Sequence, residues 1–265
     1  MPDLIKNLLS DILQRMILRI SLVKLKVFKN LLIRIFIKKY KIDLSDYQRK
    51  SIQDYKDFND FFTREIIHKK RPISGYLDDS IIISPVDGKI VEFGKIVEGE
   101  LIQIKEMGYD LLGLLDGDEK LTETYKNGSF ISIYLAPYNY HRVHAPVDGS
   151  LEQSKMIPGE MNRVDLNALS NIESLYIKNQ RLITEFRGSD FGCIMIMVAA
   201  RNVASMTTRT HLKRFNKGDW VGTFNLGSTV VVLFPNDAET KWDQHVLIGN
   251  NVKVGEKIAQ LSKIN

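Results

Sequence analysis

An α+β fold with a predominantly β body and an N-terminal amphipathic helical region is predicted by three features of the 265-residue sequence. From about residue 81 onward, short β-branched and aromatic runs alternate with Gly, Asp, Asn and Pro, the texture of strands joined by tight turns. Before that point the apolar residues fall instead at the three-four spacing of helices with one apolar face. The charge divides in the same way. Residues 1–41 hold ten Lys/Arg against Asp3 and Asp11, a balance of +8, and because the whole chain carries +5 the remainder is at −3. The expected division is a basic helical region over residues 1–64 and a β-rich body over residues 65–265.

In the first segment Asp3 is a candidate helix cap. Leu4, Ile5, Leu8, Leu9, Ile12, Leu13, Met16, Ile17 and Ile20 form one face, with Lys6, Asn7, Ser10, Asp11, Gln14 and Arg15 on the other. A second helix is expected from about Leu22 to Tyr40, grouping Leu25, Phe28, Leu32, Ile35 and Phe36 and surrounding them with Lys24, Lys29, Arg34, Lys38 and Lys39. No uninterrupted apolar run reaches the ~18–20 residues of a spanning helix, and charges interrupt any secretory hydrophobic core. Lys/Arg-rich amphipathic helices carrying Leu, Ile and Phe match an interfacial membrane anchor, drawn to anionic headgroups as well as to the apolar layer. A nucleic-acid-binding arm would carry fewer large aliphatic residues, so no nucleic acid partner is expected.

The stretch Ile42 to Tyr55 is polar. Phe58-Asn59-Asp60-Phe61-Phe62-Thr63-Arg64-Glu65 reads as a helix docked on the core, and His68-Lys69-Lys70-Arg71-Pro72 as a loop into the β region. Strands are expected at Ile81–Ile83, Lys89–Phe93, Leu101–Ile104, Ser129–Leu135, Arg181–Phe186, Cys193–Val198, Trp220–Phe224, Thr229–Phe234 and Val252–Leu261. Met161 to Ile172 is a helix or a long loop, and Asp116-Gly117-Asp118-Glu119 a solvated acidic turn with too few spaced ligands for calcium. The single cysteine, Cys193, lies in an apolar run. It is expected to be a buried thiol, and neither an internal disulfide nor a zinc pattern exists.

Three stretches carry chemistry. Ser84-Pro85-Val86-Asp87-Gly88-Lys89-Ile90 is echoed by Ala145-Pro146-Val147-Asp148-Gly149-Ser150-Leu151. This is either two turns of one type or a duplicated β unit, and the local pattern does not rank Asp87 against Asp148 as a working carboxylate. Tyr140-His141-Arg142-Val143-His144-Ala145-Pro146 places two of the five histidines in a loop beside arginine. Histidine moves protons near neutral pH, and the spacing is not that of a helical zinc-protease motif. Finally, Gly227-Ser228-Thr229 enters a buried strand. Glycine permits a sharp bend there and leaves the Gly227–Ser228 peptide bond open to attack, so the chain reads as one that cuts itself and converts Ser228 into a catalytic group.

Leu226-Gly227-Ser228-Thr229, the histidine stretch and the first Pro-Val-Asp-Gly turn together resemble the phosphatidylserine decarboxylase family. Phe58 to Arg64, Arg71-Pro72-Ile73 and Leu175 to Arg181 add matches in the same order. The resemblance implies a pyruvoyl-dependent lyase of phospholipid biosynthesis, made as a proenzyme and cut between Gly227 and Ser228 into a large chain (1–227) and a small chain (228–265). It implies an Asp87–His144–Ser228 triad for self-cleavage and His141 for decarboxylation. Ser228 would become the covalent pyruvoyl group that condenses with the substrate amine, so that neither metal nor pyridoxal phosphate is needed. The implied partners are phosphatidylserine, an anionic membrane surface and the two fragments of one precursor, with a homodimer left open. The implied place is peripheral, on the cytoplasmic face of the cell membrane. Departures are modest: Ala145 replaces a bulkier residue, and Val203-Ala204-Ser205 stands where Val-Gly-Ser is frequent.

Two other readings compete. A serine hydrolase could use the same Asp, His and Ser, but Ser228 lacks the Gly-x-Ser-x-Gly elbow. A biotinyl- or lipoyl-like β module would share the turns around Val252–Ala259, yet no lysine sits in a carrier setting.

Overall fold

The run Ser228–Phe234 folds as a strand buried at all seven positions, which an apolar, mostly β-branched sequence allows only in the middle of a covered sheet. A computed structural model describes residues 16, 19–101, 109–200, 206–225 and 228–264. In chain order its strands are β1 (Ile81–Ile83), β2 (Gly88–Val97), β3 (Glu100–Leu101), β4 (Tyr109–Asp110), β5 (Ser129–Leu135), β6 (Arg142–His144), β7 (Gly149–Ile157) and β8 (Arg181–Arg187). There follow β9 (Gly192–Ala199), β10 (Met206–Thr208), β11 (Arg214–Phe215), β12 (Trp220–Phe224), β13 (Ser228–Phe234), β14 (Ala238–Trp242), β15 (Asn251–Val252) and β16 (Lys257–Lys263).

The principal sheet runs β11-β7-β8-β9-β13-β5-β2-β3-β4, with β15 beside β2. β13 is antiparallel to β5 and to β9, Ser228 standing opposite Leu135 on one side and Ala199 on the other. Two smaller sheets, β1-β16-β14 and β10-β12-β6, complete the body. The main core joins β13 residues such as Val231 and Phe234 to Ile196, Ile133 and Ile90, and buries Cys193.

The two Pro-Val-Asp-Gly segments adopt the same structure around a local two-fold relation. The Ile83 amide donates to the Pro146 carbonyl (3.2 Å), and the His144 amide donates to the Pro85 carbonyl (2.9 Å). Asp87 Oδ1 accepts from the Val254 amide and Asp148 Oδ1 from the Lys217 amide. Gly255 and Gly218 follow, both in the left-handed region (φ 88° and 87°), and donate to the Ser84 and Ala145 carbonyls. β2 and β7 even carry register irregularities at matching places, between Ile90 and Glu92 and between Leu151 and Gln153. This is the duplicated β unit rather than two unrelated turns. Its consequence is local: His144 in one copy takes the place of Ile83 in the other.

Several expectations shift. Val252–Leu261 is two strands, because the left-handed Gly255 turns the chain between β15 and β16. The histidine stretch is not wholly loop, since Arg142–His144 pairs with β12 despite its flanking prolines. The acidic turn also opens a helix, Glu119–Tyr125, capped by Asp118. The later part of Leu101–Ile104, the segment from Asp3 through Arg15, and Val203 to Ser205 lie outside the described residues.

The second N-terminal helix, α1 (Lys26–Tyr40), starts four residues later than Leu22. Ile33 is its buried anchor, and Phe36 packs edge-on against Phe58, Phe61 and Phe62 of α2 (Phe58–Phe62). Lys29, expected among the surface cations, is buried. Its ammonium reaches the Ile52, Gln53 and Tyr55 carbonyls, ordinary behaviour for a long side chain that finds oxygen acceptors within the protein. Val27, Leu31 and Ile35 form an exposed apolar stripe at successive fourth positions.

Candidate active site

β12 pairs with β6 so that Trp220 lies opposite His144 and Thr223 opposite Arg142. Just beyond the paired residues, the Phe224 amide donates to the His141 carbonyl at 3.0 Å. Only Asn225, Leu226 and Gly227 separate Phe224 from Ser228, so the histidine stretch lies beside the chain that leads to the strand entrance. Side chains alternate along extended backbone. Tyr140, Arg142 and His144 accordingly line one cavity of about 700 Å³. His141 is wholly buried, its ring 4.1 Å from that of Phe62.

Both ring nitrogens of His144 are engaged. Nδ1 meets the Gly218 carbonyl at 2.6 Å, and Nε2 meets the Tyr140 hydroxyl at 3.0 Å. A carbonyl only accepts, so Nδ1 carries the proton and Nε2 accepts from the phenol. Burial pushes the imidazole pKa down to about 4, against the opposing influence of the Gly218 bond and the Asp87 charge. Asp87 therefore acts on His144 through its field; the two share no hydrogen bond. Arg71 grips the Asp87 carboxylate with Nε (3.0 Å to Oδ1) and a terminal nitrogen, and the Val254 amide donates a further bond at 2.8 Å. Asp148, the rival carboxylate, is not among the charges acting on His144 and holds the Lys217 amide instead.

His141 Nδ1 donates to the Asn139 carbonyl at 2.9 Å, which leaves Nε2 a bare, buried acceptor with no partner. Burial, and then the positive charge of Arg64, push its pKa down to about 3. Arg64 is itself fully buried and is held by the Tyr47 hydroxyl and the Tyr138 carbonyl rather than by a carboxylate. Ser228 is also fully enclosed, and its hydroxyl has no hydrogen-bond partner. Asp87 and His144 thus stand together, Ser228 and His141 are both buried with an unpartnered polar atom, and no hydrogen bond joins Ser228 to either histidine. Gly227 lies outside the described residues. Among the described residues, no group of three or more His, Cys, Asp or Glu side chains is placed to hold a metal.

Two neutral buried histidines make the protein acid-sensitive. Their folded pKa values lie below the unfolded value of ~6.5, so between the two the unfolded chain binds more protons and stability rises with pH. The contribution is complete above ~6.5 and is lost as pH falls toward the folded values of about 4 and about 3. The melting temperature is expected to fall from pH 7 to pH 5, and the fall should be smaller in His141→Gln, as thermal denaturation across pH would show.

Sequence reasoning missed four partners: Arg71 for Asp87, Tyr140 for His144, Phe62 for His141, and Arg64 beside them. The basic run that holds Arg71 reads in the sequence only as a loop into the β region. Tyr140, four positions before His144, was detectable, since an even offset on extended backbone shares a face.

Comparison with known proteins covers nearly the whole chain. A family model described as phosphatidylserine decarboxylase matches residues 58–260. The phosphatidylserine decarboxylase proenzyme of Psychrobacter arcticus is 37% identical over 245 residues, 87% of this chain and 87% of that protein. The proenzyme of Haemophilus ducreyi is 36% identical over 257 residues, 88% and 84% of the two chains. That of Legionella pneumophila is 36% identical over 256 residues, 89% of each.

Proposed function

The chain belongs to the phosphatidylserine decarboxylase family, and from that premise we propose how its own residues carry out the decarboxylation of phosphatidylserine to phosphatidylethanolamine and carbon dioxide. The enzyme is a carboxy-lyase made as a proenzyme. The observation that supports Ser228 as its reacting residue is an enclosed hydroxyl, without a partner, at the entrance of the central strand.

Self-cleavage comes first. His144 Nε2 exchanges the Tyr140 hydroxyl for that of Ser228 and takes its proton, while the Asp87 charge favours the imidazolium that forms. Ser228 Oγ attacks the Gly227 carbonyl within its own backbone, so no encounter entropy is spent. The peptide C–N bond breaks, leaving an ester at Oγ and a free amine. Elimination then releases the Gly227 carboxylate, and hydrolysis of the remaining dehydroalanine expels ammonia and leaves a pyruvoyl group at residue 228.

The surroundings fit such a group, being dry and shielded by strands on both sides. Once formed, its carbonyl supplies the electron sink for the pair left by the departing carboxylate, so neither a metal nor pyridoxal phosphate enters the scheme. The resemblance links His141 to the decarboxylation step, and its Nε2, a bare acceptor kept neutral by burial and by Arg64, is suited to take up a proton there rather than to carry one at rest. The two fragments stay together because the small chain, residues 228–265, begins with β13 between β5 and β9 and continues into β14–β16, with β15 paired to β2 and β16 to β1.

Residues 1–64 are the membrane-facing part of this scheme. The exposed Val27-Leu31-Ile35 stripe on a helix ending in Lys38 and Lys39 suits a peripheral bilayer contact on the cytoplasmic face of the cell membrane. No helix of the described residues is long and apolar enough to cross a membrane. The purified chain should convert phosphatidylserine in mixed micelles to phosphatidylethanolamine with no added pyridoxal phosphate, as lipid mass spectrometry would show. Conversion that required added pyridoxal phosphate would overturn the scheme.

A further inference from the structure

The cavity beside His144 is rich in cations. Lys69, Arg71, Arg142, Arg209 and Lys217 line it, against Glu65 and Asp219. Most of that positive charge is already engaged. Arg71 is paired with Asp87 and Asp46. Arg142 bonds the Thr63 carbonyl and is paired with Glu65. The Lys217 ammonium is held by the Gly75 and Asp78 carbonyls. Arg209 differs. It is only partly exposed, and among the described residues its side chain has neither a carboxylate nor a hydrogen-bond acceptor. Its guanidinium lies against Trp220, whose ring is 5.2 Å from its guanidinium carbon and 4.3 Å from that of Arg142.

An aromatic platform under two guanidinium groups restrains them without neutralising either. A planar guanidinium with free N–H groups matches a tetrahedral oxyanion through paired donors. We propose that this cavity is the phosphodiester subsite of the lipid substrate, with Arg209 as the binding cation, steadied on Trp220, that delivers the headgroup beside His144. The proposal rests on the reading of the chain as a phosphatidylserine decarboxylase. It adds the residue that recognises the phosphate, which the carbon-dioxide-releasing chemistry does not require. Arg142 and Lys217 are given no such role because their donors are already committed within the protein.

The test is Arg209→Gln in the full-length chain, with Arg209→Lys as the conservative variant. Arg209→Gln is expected to cut itself and carry the blocked small fragment as the wild type does. Its KM for phosphatidylserine in mixed micelles should rise about tenfold or more, the scale of one lost charge-assisted contact, with kcat changed less than threefold. Arg209→Lys should recover most of the KM. Soluble glycerophosphoserine should inhibit the wild type competitively and Arg209→Gln more weakly, and this headgroup should inhibit better than inorganic phosphate. An unchanged KM in a processed Arg209→Gln enzyme would overturn the proposal, as would equal rises in Arg209→Lys and Arg209→Gln, or loss of kcat with KM intact. Inhibition by inorganic phosphate alone, with no effect of the headgroup, would overturn it too by making the site a free-anion site. A wild-type protein that fails to decarboxylate phosphatidylserine would instead remove the underlying assignment.

Discussion

Ser228→Ala should leave one uncut chain of 265 residues and no measurable decarboxylation. The effect is expected to be total because the alanine methyl has no atom that can attack the Gly227 carbonyl, and no other route yields a carbonyl group at that position. The variant should still fold. Ser228 Oγ is buried and has no hydrogen-bond partner, so its removal relieves an unsatisfied polar group rather than breaking a contact. Its place in the sheet rests on backbone pairing with Leu135 and Ala199, which alanine keeps. The melting temperature should therefore equal or slightly exceed that of an uncut wild-type precursor, while a denaturing gel shows a single band. Loss of cleavage accompanied by loss of the fold would deprive the result of its meaning, and the hydroxyl's lack of partners argues against that outcome.

The two histidines should separate the two reactions. His144→Ala is expected to block cleavage, and with it all activity, because it removes the base whose Nε2 is already committed to a hydroxyl. Asp87→Asn should slow cleavage by orders of magnitude, since an amide cannot favour the imidazolium and pairs less well with Arg71. His141→Ala should be cut normally and then decarboxylate about 10²–10⁴-fold more slowly, the usual span for a lost proton-transfer group. The gel reports the first step and lipid analysis the second. The opposite pattern, with His141→Ala uncut and His144→Ala cut, would exchange the two roles. The geometry gives that comparison its force, because of the two only His144 borders the cavity, whereas His141, just before β6, is buried against Phe62.

Much of this arrangement could be read from the sequence, and the unread part has a common cause. β1, β5 and β12 match the expected spans, because each is an apolar run closed by turn residues. β6 was missed since three residues between prolines carry too little pattern, and its strand character comes from β12, far along the chain. Lys29 was placed on the surface because spacing alone cannot announce three carbonyl acceptors from the segment 52–55. The same limit applies at the site. The resemblance names Asp87, His141, His144 and Ser228, but what holds them is distant: Gly218 lies 74 positions from His144, and Val254 lies 167 from Asp87. The Pro-Val-Asp-Gly echo left Asp87 and Asp148 equal. They part only because the duplicated unit folds back on itself and sets one copy's histidine within the field of the other's carboxylate.

The intact mass of the purified wild-type protein under denaturing conditions distinguishes a chain that has cut itself at Ser228 from one that has not. Two species are expected, residues 1–227 and a fragment of residues 228–265 whose N-terminal residue is pyruvoyl in place of serine. That fragment should resist N-terminal sequencing and gain mass on treatment with a carbonyl-reactive hydrazine. A single species with the mass of all 265 residues, in a preparation that decarboxylates phosphatidylserine, would contradict it.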